Sequence, residues 1–221
     1  MMLAPSQVKP QAFRKTKIIC TIGPASETPD CIRDLIREGM NLARLNFSHC
    51  KYDEALARIK MLREARKELE VPLAIILDTK GPEVRMFGYD RAVMLSKDDT
   101  IYVESTEKSR DEVKPLPAEQ RHFFTNLPRI EKLCRVGSRV LLQDGFIEAE
   151  VTQLHTGRQS AITVRVLNEG KLKERAHLAI PGADYPIPFM SQKDRDDITF
   201  AVKNGFEYIA LSFVRTAKDI A

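Results

Sequence analysis

The chain of 221 residues is short of most features that would assign it to a class at a glance. It has only four cysteines, Cys20, Cys31, Cys50 and Cys134, widely spaced and without a CxxC pair. Disulfide scaffolds and zinc ribbons are therefore excluded, and a reducing cytoplasm is the expected compartment. No apolar run approaches the roughly 18 residues of a membrane span, and the opening MMLAPSQVKPQAFRKTK contains no apolar signal core. Charge imbalance is also slight: 35 basic against 31 acidic residues leave a formal net charge of +4. Basic and acidic side chains alternate and no aromatic stacking motif occurs, which argues against nucleic acid as a partner. The four histidines show no HxxxH spacing, so surface or capping roles are expected for them.

The first 85 residues alternate strand and helix. KIICTI (17–22) is β-branched and stops at Gly23-Pro24. Thr28-Pro29 has the form of an N-cap with proline in the first turn, and Gly39 closes that helix. MNLARLNF (40–47) reads as a second strand. The run from Lys51 to Glu70 repeats Ala55, Leu56, Ile59, Leu62, Ala65 and Leu69 at helical spacing. VPLAIILD (71–78) is a near-continuous apolar strand of the kind parallel sheets bury on both faces.

Residues 86–183 change to period-two alternation, as in Ile147, Ala149 and Val151 against Glu148, Glu150 and Thr152, with turn residues at Asp144-Gly145, Thr156-Gly157 and Asn168-Glu169-Gly170. A small antiparallel β-barrel is expected there, with Thr106–Gln120 as a mobile loop. At residues 184–221 the α/β pattern resumes: Ser191 and Asp194 form a capping box, and FEYIALSF (206–213) reads as a buried strand. The α/β segments hold far fewer residues than the roughly 250 of a closed eight-stranded barrel. The expected fold class is α/β, the first half of a (β/α)8 TIM barrel (1–85 and 184–221) interrupted by an inserted β-barrel domain (86–183). Open strand edges would favour association with another chain.

Two clusters at strand ends can carry chemistry. Arg44, Asn46 and Ser48 alternate at the end of the second strand, and Asp78-Thr79-Lys80-Gly81-Pro82 ends the third, with Arg85 beyond. Guanidinium suits phosphate, whereas amide, hydroxyl and carboxylate oxygens suit a hard cation. The plain alternatives are a helix cap at Ser48, a turn at Asn46, a solvated Arg44 and a polar turn after Asp78.

The segments RKTKIICTIGPAS (14–26), GMNLARLNFSH (39–49), LDTKGPEVR (77–85), LLQDGFIEAEV (141–151) and YIALSFVR (208–215), in this order, resemble pyruvate kinases, and the likeness runs from Arg14 onward. The resemblance implies a (β/α)8 barrel with a β-barrel lid, cytoplasmic and usually homotetrameric, that transfers phosphoryl from phosphoenolpyruvate to ADP in glycolysis with magnesium and potassium. It implies that Arg44 contacts the substrate phosphoryl group, that Asn46, Ser48, Asp78 and Thr79 ligate potassium, and that Asn46, His49 and Arg85 lie against ADP or ATP. Cys50 stands where a glycine is usual and Gln143 where an aspartate is common. The family's nucleotide-contacting lysine matches Lys171, Lys173 or Arg175 without a unique choice. Its catalytic lysine and acidic magnesium ligands fall past residue 221, so the polypeptide by itself is expected to be inactive. The alternative is a non-catalytic module that binds phosphate or nucleotide, or regulates a partner.

Overall fold

The computed structural model describes residues 15–48, 50–89 and 91–221. They fall into two compact units, one reaching to Pro82 and resuming over Phe189–Ala221, the other Glu83–Pro188. The first opens with β1 (Ile18–Thr21), α1 (Pro29–Arg37), β2 (Met40–Asn46), α2 (Tyr52–Glu68) and β3 (Ala74–Asp78). Thr28 caps α1 by accepting from the Cys31 amide at 3.3 Å, Pro29 occupies the first turn where no amide partner is needed, and Arg37 faces the negative end. The apolar stripes bury Ile32 and Ile36 from α1, and Ala55, Ile59, Leu62 and Ala65 from α2. These join Ala43, Leu45, Ile75 and Leu77 of the strands in one core. The strands pair in parallel, and the register sets Asn46 beside Asp78 at the carboxyl ends of β2 and β3.

The second unit is antiparallel for the most part: β4 (Met86–Phe87), β5 (Val93–Leu95), β6 (Thr100–Ser105), β7 (His122–Thr125), β8 (Arg139–Leu142), β9 (Ile147–His155), β10 (Ala161–Val166), β11 (Gly170–Leu172) and β12 (Leu178–Ala179). Seven strands run in the order β12-β8-β9-β10-β6-β7-β4, and β5 pairs with β11. The two ends of that order meet where the Met86 amide donates to Ala176, the Leu178 amide donates to Val84, and Arg85 bridges His177, so the sheet nearly closes. The period-two pattern buries Ile147, Ala149, Val151, Ile162, Val164 and Val166, and leaves Glu150 to pair with Arg165 outside. Gly170 lacks a Cβ for a packing reason: one would lie 2.5 Å from Ile147 Cγ1. The Thr106–Gln120 segment carries short 3-10 turns at Arg110–Glu112 and Ala118–Gln120, and its Leu116 amide donates to Gly88 at 2.8 Å.

The chain re-enters the first unit as α3 (Gln192–Lys203) and β13 (Tyr208–Ala210), which pairs in parallel with β3 and gives the strand order β1-β2-β3-β13. The strand expected over residues 206–213 is thus only three residues long, and Tyr208 and Ile209 are exposed rather than buried. The reason is position: β13 has one strand neighbour in this order, whereas β3 has two and buries Ile75 and Leu77. Ile18 and Ile19 of β1, at the opposite edge, are exposed in the same way.

Candidate functional site

Because β2 and β3 are parallel and in register, their last residues present polar side chains at one end of the sheet. Arg44 Nε donates to Asp78 Oδ2 at 3.1 Å, a terminal nitrogen of the same guanidinium grips that oxygen, and the other donates to Thr21 Oγ1 at 2.7 Å. Asp78 Oδ1 accepts from the Ser212 hydroxyl at 3.0 Å. Ser212 also donates its backbone amide to Thr79 Oγ1 at 3.1 Å, and Thr79 is buried. The side-chain oxygen Oδ1 of Asn46 accepts from the Ser48 backbone amide at 2.9 Å. One guanidinium, one carboxylate, one amide and three hydroxyls from Ser48, Thr79 and Ser212 therefore lie on the ends of β2, β3 and β13 or the turns that follow them.

Three local details distinguish this arrangement from ordinary turns. Arg44 is paired with Asp78 although part of its side chain stays exposed, and the N-cap of α2 is Lys51, so Ser48 does not cap that helix. Gly81 has φ +65°, and a Cβ on it would meet the Ser212 carbonyl oxygen at 2.7 Å. The turn after Thr79 therefore packs against the segment after β13 through a glycine that no other residue replaces without strain.

The first turn of α3 contributes a second polar set. The Asp194 carboxylate completes the capping box with Ser191 and also accepts from the Gly81 amide at 3.1 Å. Burial acts to raise its pKa, but the bonds from the Ser191 hydroxyl and amide and from Gly81 outweigh it and hold the carboxyl below its ordinary value. Lys193 Nζ donates to the Phe47 carbonyl at 2.9 Å and to Asp197 at 2.6 Å. Asp197 is fully buried and its other oxygen accepts from the Tyr52 hydroxyl at 3.0 Å. Burial and that bond push the Tyr52 phenol up to about 12. Its ring stacks on Phe200 with centroids 4.6 Å apart. Cys50 accepts from Arg58 at 3.2 Å, and Arg58 is itself held by Glu27 at 2.7 Å; burial dominates and raises the thiol pKa.

In the second unit Arg85 donates to Glu83 at 2.7 Å and to the Arg175 carbonyl at 3.0 Å. Gln143 Oε1 accepts from the Lys173 backbone amide at 3.0 Å, and the Gln143 backbone amide donates to the His177 carbonyl. Lys171 lies on β11 opposite Met94. His49 lies outside the described residues. Among those described, no three His, Cys, Asp or Glu side chains gather as a metal cluster, and no helix is long and apolar enough to cross a membrane.

Arg44, Asn46, Ser48, Asp78 and Thr79 thus belong to neighbouring strand ends of one unit, whereas Arg85 belongs to the other unit. Ser212, Thr21, Lys193, Asp197 and Tyr52 escape sequence reasoning. Most of their partners lie far off in the chain, 146 residues for Lys193 and Phe47, where spacing carries no signal; the i, i+4 spacing of Lys193 and Asp197 is the one pairing the sequence could have pointed to.

A parallel α/β unit with phosphate- and cation-compatible groups at its strand ends, together with a nearly closed, mostly antiparallel sheet, defines the class. The family model described as pyruvate kinase, barrel domain, matches residues 13–221. The chain belongs to the pyruvate kinase family. It is 40% identical over 209 residues to the pyruvate kinases of Staphylococcus aureus strains USA300 and NCTC 8325, a match covering 94% of this chain and 34% of theirs. It is similar in structure to a pyruvate kinase from Cryptosporidium parvum, with a TM-score of 0.78 and 33% identity, covering 94% of this chain and 41% of that one. The chain therefore spans about a third of the length of the curated relatives it matches.

Proposed function

We propose that this chain forms part of an enzyme that transfers phosphoryl from phosphoenolpyruvate to ADP in glycolysis, and that it supplies the potassium site and one side of the substrate site. The first unit is then the opening half of a (β/α)8 barrel, and Glu83–Pro188 the inserted β-barrel lid. The observation that carries the reading is the Arg44–Asp78–Ser212 chain of bonds at adjoining strand ends. A guanidinium has five N–H donors. Three serve Asp78 and Thr21; the two left over can meet a phosphate ester. Asn46, Ser48, Asp78 and Thr79 provide an amide, a carboxylate and two hydroxyls, a donor set suited to a potassium ion. Potassium, when bound, supplies fixed positive charge beside the transferring group. Arg85 and His49 serve the nucleotide in this reading, as does Asn46.

In this reading magnesium is held by acidic ligands that other parts of the enzyme supply, as the family resemblance implies. Binding without transfer is therefore expected of residues 1–221 alone. Calorimetry should show phosphoenolpyruvate binding that depends on potassium and weakens about tenfold or more in Arg44→Lys, because lysine cannot fork between carboxylate and phosphate. Binding indifferent to both changes would overturn the reading, as would turnover above background in a coupled assay of this polypeptide. The same guanidinium and oxygen set also fits a second reading, a non-catalytic phosphate- or nucleotide-binding module. Mixing with a polypeptide that carries the remaining two thirds of the Staphylococcus aureus relative separates the two. Restored transfer supports the enzyme; binding without restoration supports the module.

A further inference from the structure

The parallel ladder between β2 and β3 ends with the Asn46–Asp78 pair, yet the oxygens proposed for potassium extend past it to Ser48 and Thr79. Something other than the ladder has to hold both turns. The Phe47 peptide, which links Asn46 to Ser48, is fixed at both ends: its amide donates to the Asp78 carbonyl at 3.0 Å, and its carbonyl accepts from Lys193 Nζ at 2.9 Å. The Gly81 amide, two residues past Thr79, donates to Asp194 Oδ1 at 3.1 Å. Two consecutive residues in the first turn of α3 thus hold the two turns that bear the donors.

We infer that Lys193 and Asp194 are positioning residues, a clamp that sets the Asn46–Ser48 turn and the Asp78–Thr79 turn at the separation a monovalent cation needs. The inference rests on the potassium reading above. The clamp is itself braced. Asp197, with no exposed surface, takes the Lys193 ammonium at 2.6 Å and the Tyr52 hydroxyl at 3.0 Å, so Lys193 is neutralised locally and its aim is restricted. Asp194 is locked by its capping box, in which the Ser191 amide donates to Oδ2 at 3.0 Å, leaving Oδ1 for Gly81. Neither side chain is offered as a ligand. Each acts through a backbone group within two residues of one, as outer-shell partners orient metal ligands.

Thallium(I), followed by its NMR signal and displaced by potassium, serves as the probe on the 221-residue chain. Lys193→Met and Asp194→Asn should each weaken thallium affinity about 10- to 100-fold, the range seen when outer-shell partners are lost. Lys193→Arg, which keeps a cationic donor, should recover most of it. Thr28→Ala removes the α1 cap and should lower the melting temperature without moving the affinity, which separates positioning from general destabilisation. Should Lys193→Met fail to fold, Asp194→Asn, equal in shape to the native residue, carries the test with the same thresholds. Parent binding with unchanged affinity in the two variants would overturn the clamp and leave the potassium reading standing. Absence of thallium binding by the parent would overturn both.

Discussion

Arg44 and Asp78 meet diagonally across β2 and β3: Asp78 sits in register with Asn46, and Arg44, two residues earlier, reaches along the strand to its carboxylate with Nε at 3.1 Å. The pair joins the phosphate-compatible group to the cation-compatible one. Asp78→Asn should therefore affect both. Water reaches a third of the Arg44 side chain, so the expected cost in urea denaturation is modest, about 1–2 kcal/mol. Potassium binding should fall much further than stability. A variant that keeps potassium affinity would remove Asp78 from the ion site.

Gly81→Ala forces a Cβ to 2.7 Å from the Ser212 carbonyl oxygen at φ +65°. The expected destabilisation is about 2 kcal/mol or more, since a left-handed alanine and a backbone clash add. Thermal unfolding checks the cost. A melting temperature equal to the parent's would show that the turn after Thr79 does not need glycine.

Acid stability should depend on Asp194 and Glu207. For Glu207, burial acts upward but is outweighed by Arg66 and by the Ile75 amide, so its pKa, like that of Asp194, is lowered on folding. A lowered folded pKa contributes stability above the unfolded value, about 4 for either carboxyl, and that contribution is lost as pH falls through the folded value. Denaturation midpoints measured from pH 6 to pH 2 should fall steeply in the parent and less steeply in Asp194→Asn. Parallel curves would contradict the assignment.

Thiol chemistry provides a further check. Burial raises Cys50, and burial with Glu131 nearby pushes Cys134 up to about 11. Both should be overwhelmingly protonated at neutral pH and alkylate slowly. Mass-spectrometric mapping after a timed iodoacetamide pulse at pH 7.5 should find both mostly unmodified. Rapid labelling of Cys50 would mean that the Arg58 contact outweighs burial.

Local rules make much of this molecule readable in its sequence. Thr28-Pro29 and Ser191/Asp194 mark the starts of α1 and α3 because capping is satisfied within four residues. The alternation of Ile147, Ala149 and Val151 marks a strand with one buried face because side-chain direction has period two. Arg44 and Asp78 are legible as candidates because a guanidinium and a carboxylate at the carboxyl ends of parallel strands suit a phosphate and a cation. The length of β13 is not legible for the complementary reason: hydrophobicity over 206–213 does not say whether a neighbouring strand covers it.

What the amino-acid order determined by itself was the set of elements, the change from helical to period-two patterning near residue 86, and the chemical types waiting at the strand ends. Tertiary structure alone decided which of those groups touch. Ser212 reaches Asp78 across 134 residues of chain, and Lys193 reaches Phe47 across 146. Helix caps and strand alternation are local and leave a periodic trace, whereas such pairings depend on how parallel strands stack in register, and no short-range pattern encodes that.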